Sequence, residues 1–225
     1  AKYLPVILPN EKLKPGKIEK LATTRELYVA REDIEKLQEY INLNCDRSAE
    51  GIVSRCRITY MALCKSHTDF IVTLFDKSDR ATFSAGKSLL ERSAALASEM
   101  LTNLSTLTNP WSVINNGTIG ETGSVERSPA IAAMAGLTAM NLNDISTEDI
   151  ILAGFLADVG CLTLPPTLLQ KIRQGKMAEL SEDELKRYKQ HPVYSVNKCL
   201  DKKIPLSEKI KAIMSTTHER LDGSG

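Results

Sequence analysis

Ala157-Asp158-Val159-Gly160, Leu164-Pro165, Gly175-Lys176, His191-Pro192 and His218-Glu219-Arg220-Leu221-Asp222-Gly223-Ser224-Gly225 punctuate the last third of the chain, and the spacing between them is helical. Pro165-Pro166 opens a short helix carrying Leu168, Leu169 and Ile172, since proline suits the first turn and no later one. Ser181 with Glu184 reads as a capping box, and Pro192 and Pro205 are each placed to start a further helix. Working outward, Ser146 and Asp149 cap a helix that runs to Asp158, and another covers about 125–141. Residues 115–123 are rich in Asn, Gly and Thr and read as a loop. No period-two alternation follows Asp46, so the chain reads as mainly α.

Two long helices fill 46–108. One apolar face runs through Ile52, Cys56, Tyr60, Leu63, Cys64, His67, Ile71 and Leu74. After Asp76–Asp79 a second runs through Phe83, Leu89, Leu90, Ala94, Ala97, Met100, Leu101 and Leu104, and Asn109-Pro110 stops it. An antiparallel hairpin is expected, or a linker pair able to make a homodimer or hold a protein partner. The first 44 residues read as a small α+β segment. Tyr3–Pro9 and Glu26–Val29 suggest strands, Lys14–Lys17 a turn, and Ile34, Leu37, Tyr40 and Ile41 the stripe of a short helix. The expected division is 1–44, 45–114 and 115–225.

Composition excludes several classes. Hydrophobic residues make up 42% and charged residues 25%, as in ordinary globular proteins, while aromatics at 5% leave the core to Leu, Ile, Ala and Met. A net charge of +1 without a basic run argues against nucleic acid as a partner. Cys45, Cys56, Cys64, Cys161 and Cys199 form no CxxC pair and fit reduced thiols in a cytoplasmic protein. No signal peptide is legible, and no apolar run approaches the ~20 residues that a membrane span needs.

In order and spacing, the punctuation of the last third resembles the HD-GYP family, the bacterial cyclic di-GMP phosphodiesterases, over roughly 115–225. That family carries His-Asp-x-Gly-Lys, Ile-Pro, Lys-Pro-Gly-Lys-Leu-Thr, His-Pro and His-His-Glu-x-x-Asp-Gly-x-Gly-Tyr-Pro in this sequence order. The N-terminal segment is similar to the small domain that often precedes such modules, with Tyr28-Val29 and Tyr40-Ile41 at the matching places. The resemblance implies an HD-type helical bundle in which His and Asp side chains hold two or three metal ions. Such ions neutralise a phosphodiester and lower the pKa of a bound water.

Several positions depart from the family pattern. Ala157 stands where the pair has His, Cys161 where the run has Lys, and Thr217 where His-His-Glu has its first His; the earlier His of the family falls near Gly123 or Ser124. The resemblance leaves Asp158, His191 and His218 as metal ligands, with Asp158 also catalytic, and Lys176, Gly223, Ser224 and Gly225 toward substrate. Three ligands hold one divalent ion (iron, manganese or zinc) or none, rather than a dinuclear centre.

Each residue has a plainer reading as well. Asp158 could cap a helix, His191 could make local hydrogen bonds, and His218 could be a satisfied core histidine beside Leu206, Ile210, Ile213 and Met214. His67 is expected to pack, and Cys161 to be a small buried hydrophobe more often than a soft ligand. Gly223–Gly225 could be a flexible terminus. Lys171, Arg173, Lys176, Lys186, Arg187 and Lys189 could meet nucleotide phosphates or simply face water.

Three functions compete. The favoured one is a degenerate HD-GYP domain in cyclic di-GMP signalling, with weak or no hydrolysis. The second is an active metal-dependent phosphodiesterase with a rearranged site that recruits Glu121 or Glu126. The third is a helical interaction scaffold similar to HDOD domains.

Overall fold

The computed structural model describes residues 12–23, 29–76, 82–117, 127–140, 142 and 146–223, and every regular element among them is helical. The chain divides into two compact units, Ala1–Asp33 and Ile34–Gly225. In the first, helix α1 (Pro15–Ala22) occupies the place read as a turn, because Pro15 sits at the helix start, where its missing N–H costs nothing. A 3-10 turn spans Arg31–Asp33. The strand expected at Tyr3–Pro9 and most of that at Glu26–Val29 lie outside the described residues, and Val29 itself belongs to no regular element.

The second unit begins with α2 (Ile34–Asn44), α3 (Ala49–Phe75) and α4 (Thr82–Leu104). In α2 the buried residues are Ile34 and Gln38, whereas Tyr40 is exposed and leaves the expected stripe. Helices α3 and α4 pack as the antiparallel hairpin. Thr59 meets Glu99 at 3.5 Å and the hydroxyls of Ser66 and Ser93 meet at 2.9 Å, so partner numbers rise on one helix as they fall on the other. Their facing stripes are buried at Cys56, Leu63, Phe70 and Leu74 and at Leu90, Ala97, Met100, Leu101 and Leu104. The side chain of Phe83 lies outside the described residues.

Pro110 does not merely end the hairpin. It opens α5 (Pro110–Gly117), which takes the first residues of the segment read as a loop. Helix α6 (Ser128–Ala139) is apolar nearly all round, and Ala130, Ala132, Ala133, Gly136, Leu137 and Ala139 are buried, which places it centrally. Helix α7 (Thr147–Leu156) starts on Ser146, whose hydroxyl accepts the Asp149 N–H at 3.2 Å. It crosses α6 closely: a Cβ on Gly154 would stand 2.8 Å from the Ala132 Cα.

Helices α8 (Pro166–Arg173), α9 (Glu182–Lys189), α10 (His191–Asp201) and α11 (Glu208–Ser215) complete the bundle. Ser181 and Glu184 form the full reciprocal capping box at the start of α9. Helix α11 is capped by Ser207, which accepts the Ile210 N–H at 3.1 Å, so Pro205 lies in the approach rather than at the start. One core joins α2–α7, α10 and α11, and a second, smaller cluster gathers Cys161, Leu164 and Leu168 with flanking Leu169, Ile172 and Tyr188. None of the described helices is long and apolar enough to cross a membrane.

The α9 cap gives a first prediction. Ser181→Ala removes the acceptor for the Glu184 N–H and should cost about 1 kcal/mol, seen as a small fall in urea midpoint. An unchanged midpoint would show that Glu184 alone, held by Lys171 at 2.8 Å, fixes this helix start.

Candidate metal centre

The centre is assembled by three helix boundaries. Helix α7 ends at Leu156, and the chain tightens into a 3-10 turn (Val159–Thr163) with Asp158 as its N-cap residue. His191 is the first residue of α10, and His218 lies in the turn that follows α11. Backbone contacts hold the first two pieces together. Gly160 donates its N–H to the Ser195 hydroxyl at 2.7 Å, and that hydroxyl's proton lies between the carbonyls of Ala157 at 2.5 Å and His191 at 2.9 Å. Ser195 is fully buried and Gly160 is buried beside it, and a Cβ on Gly160 would stand 2.1 Å from the His191 carbonyl oxygen.

On this frame three side chains converge. Asp158 Oδ1 lies 3.1 Å from His191 Nε2 and 3.9 Å from His218 Nε2. The two imidazole Nε2 atoms are 3.0 Å apart. His191 is 1% exposed and Asp158 7%, while the His218 side chain is half-exposed, so the cluster opens to solvent on the His218 side.

The protonation pattern decides what this cluster wants. His191 Nδ1 lies 2.6 Å from the Tyr188 carbonyl, which can only accept, so Nδ1 carries the proton. In the neutral ring Nε2 is then a bare lone pair facing a carboxylate oxygen and a second imidazole nitrogen. A hydrogen carried by His218 Nε2 can satisfy this meeting, and so can a metal ion shared by the three donors. Burial works to raise the Asp158 carboxyl, but hydrogen bonds and charge from the His191 and His218 rings in their protonated form hold it well below the usual carboxylate range. The Asp158 contact in turn raises His218, against the opposing effect of its partial burial.

The donor set fits a metal ion. Nitrogen and oxygen ligands bind divalent ions at ~2.0–2.2 Å, which puts two donors on one ion about 3 to 3.7 Å apart. The separations of 3.0 and 3.1 Å fall within that range and the third, 3.9 Å, lies just above it. The Tyr188 carbonyl supplies the outer hydrogen bond that such a histidine normally makes, and the Tyr188 ring stacks on His191 at 4.9 Å. Cys161 is also close: donor atoms of Asp158, Cys161 and His191 all lie within 4.8 Å of one another.

The sequence model of the HD domain matches residues 88–225. The chain belongs to the HD domain family. No curated protein and no solved structure matches it. Membership makes residues 88–225 a domain of the metal-dependent hydrolase type, and HD domains typically bind divalent metals.

The remaining candidates of this HD domain lie elsewhere or outside the described residues. Lys176 stands in the α8–α9 connection and pairs with Glu179 at 3.7 Å. Gly223 adopts a φ of +74° in the turn after His218, a conformation that favours glycine. Ser224, Gly225, Gly123, Ser124, Glu121 and Glu126 are outside the described residues. His67 is buried, its Nε2 3.1 Å from the Phe155 carbonyl and its ring stacked on Phe155, so it ties α3 to α7. Lys171 is engaged by Glu184. Sequence reasoning missed Ser195 and Tyr188. The available signal was position: Ser195 follows His191 by one helical turn, and Tyr188 lies three residues before it.

Proposed function

We propose that this chain is a degenerate HD-GYP-type domain that binds one divalent ion and hydrolyses cyclic di-GMP weakly or not at all. The carrying observation is the convergence of Asp158, His191 and His218, with non-ligating side chains at the two neighbouring places where the family has histidine. Ala157 is buried at the end of α7 and offers only its carbonyl, which the Ser195 hydroxyl occupies. The Thr217 hydroxyl is turned back onto the α11 carbonyls of Ile213 and Met214, at 3.1 and 3.0 Å. Neither supports a second metal.

A bound divalent ion would supply charge neutralisation for an anionic phosphodiester and acidify a coordinated water. The chain's own contribution is to orient and to exclude. Tyr188 fixes the His191 tautomer, the Gly160–Ser195 clasp fixes the distance from Asp158 to His191, and the half-exposed His218 is the member that solvent or a ligand reaches. Dinuclear phosphodiester chemistry uses two ions to hold both the attacking and the leaving oxygen, and three donors provide for one.

Elemental analysis of protein purified without chelator should give about one ion per chain, and cyclic di-GMP should persist on incubation. Two equivalents of iron or manganese, or steady product release abolished by Asp158→Ala, would restore the reading as an active phosphodiesterase.

A further inference from the structure

We infer that Cys161 is a thiolate donor to the Asp158–His191–His218 ion, completing a closed four-donor site selective for zinc over manganese or iron. The inference rests on the proposed single-ion reading and adds to it the ligand that decides which ion is held. Local geometry places the sulfur. Cys161 donates its N–H to the Asp158 carbonyl at 3.0 Å across one 3-10 turn, and residues three apart in a 3-10 helix stack on the same side. The thiol therefore shares a face with the carboxylate that His191 approaches, and the three donor atoms lie within 4.8 Å of one another.

The donor chemistry then chooses the ion. Carboxylate and imidazole alone serve manganese, iron and zinc comparably, whereas a thiolate favours the softer ion. Two imidazoles, one carboxylate and one thiolate are four protein ligands, the number of a closed zinc site, whereas catalytic zinc keeps one position for water. Binding displaces the thiol proton to solvent, so uptake by Cys161 releases one proton per ion. The competing account is that Cys161 only fills space, because it is fully buried beside Leu164 and Leu168. That account predicts no spectroscopic trace of sulfur on the metal.

Cobalt separates the two. The full chain, reduced, stripped with chelator and titrated anaerobically with Co²⁺, should develop visible ligand-field bands together with a near-ultraviolet thiolate-to-cobalt charge-transfer band. Cys161→Ser should keep the ligand-field bands, lose the charge-transfer band and weaken Zn²⁺ binding by tenfold or more, with Mn²⁺ binding little changed. Cys161→Ala should do the same, which guards against serine acting as a substitute donor. Ligand-field bands without the charge-transfer band in the wild type, or a band that survives both substitutions, would overturn the role of Cys161 and leave the single-ion reading standing. No cobalt bands at all would overturn both.

Discussion

Gly160→Ala is expected to lower the melting temperature of the metal-free protein by roughly 6 to 12 °C, from a cost of about 3 kcal/mol at ~2–4 °C per kcal/mol for a chain of this size. The added methyl would stand 2.1 Å from the His191 carbonyl oxygen and 2.5 Å from the Ser195 backbone nitrogen. Both are main-chain atoms of α10, so no flexible side chain can move aside, and the 3-10 turn or the helix must shift instead. This puts the cost at the upper end of the ~1–3 kcal/mol usual for overpacking. The shift would also pull Asp158 away from His191, so metal affinity should fall with stability. Ser195→Ala attacks the same clasp from the other side. It leaves the buried Gly160 N–H without its 2.7 Å acceptor, at about 1–3 kcal/mol. The double variant should cost less than the sum, because both substitutions break one contact. A melting temperature for Gly160→Ala within 2 °C of wild type would refute the close packing of this turn on α10.

Helices were legible wherever a cap or a proline marked their start. Ser146, Ser181 and Pro166 each begin an element as the sequence alone suggests, because a cap is a local interaction complete within four residues. Pro15, Pro110 and Pro205 were harder. The same residue opens α1 and α5 but only precedes α11, and what distinguishes the cases is Ser207, a better cap two residues on. Tyr40 departs from the apolar stripe expected of α2: its ring lies on the wet side of the helix, and Gln38, one turn after Ile34, takes the buried position instead.

The metal centre was legible only in part. Asp158, His191 and His218 could be chosen by chemistry and by resemblance, yet nothing in the chain tells that three separate helix boundaries bring them within 4 Å. Ser195 and Tyr188 act through a hydroxyl and a backbone carbonyl, groups that many residues possess, so their roles emerge only once α10 is seen against the 3-10 turn. Cys161 offered two plain readings, and the 3-10 geometry, in place of the α-helix that runs before it, is what sets its thiol beside Asp158.

Asp158→Asn should reduce metal affinity by about a hundredfold or more while leaving the metal-free fold nearly intact. Loss of an outer-shell partner alone costs ~10–100-fold in affinity, and removing a donor itself should exceed that. The fold is spared for a different reason. Breaking a buried ion pair is severe when it strands a charge, but here the partners are imidazoles, which shed a proton instead. Asparagine keeps the volume and one acceptor oxygen, so the expected cost is about 1 kcal/mol.

The pH dependence carries the same signature. Asp158 is held below its ordinary range, so its contribution exists above a pKa of ~3.9 and disappears as acid protonates the folded carboxyl. His218 is raised, so its contribution is complete below ~6.5 and is lost as pH climbs through the raised folded value. The metal-free wild type should therefore melt highest at mildly acid pH, between those limits. The amplitude should be modest and salt-sensitive, because His218 is half-exposed. Metal affinity should move the opposite way and strengthen as pH rises, since His218 and Cys161 must both give up protons to bind. In Asp158→Asn the mildly acid maximum should flatten, because the carboxylate that holds the proton on His218 is gone. Zinc competition and thermal melts at pH 5.5 and 8 read both trends. Unchanged metal content in Asp158→Asn would remove Asp158 from the ligand set, and an unchanged pH profile would separate it from His218.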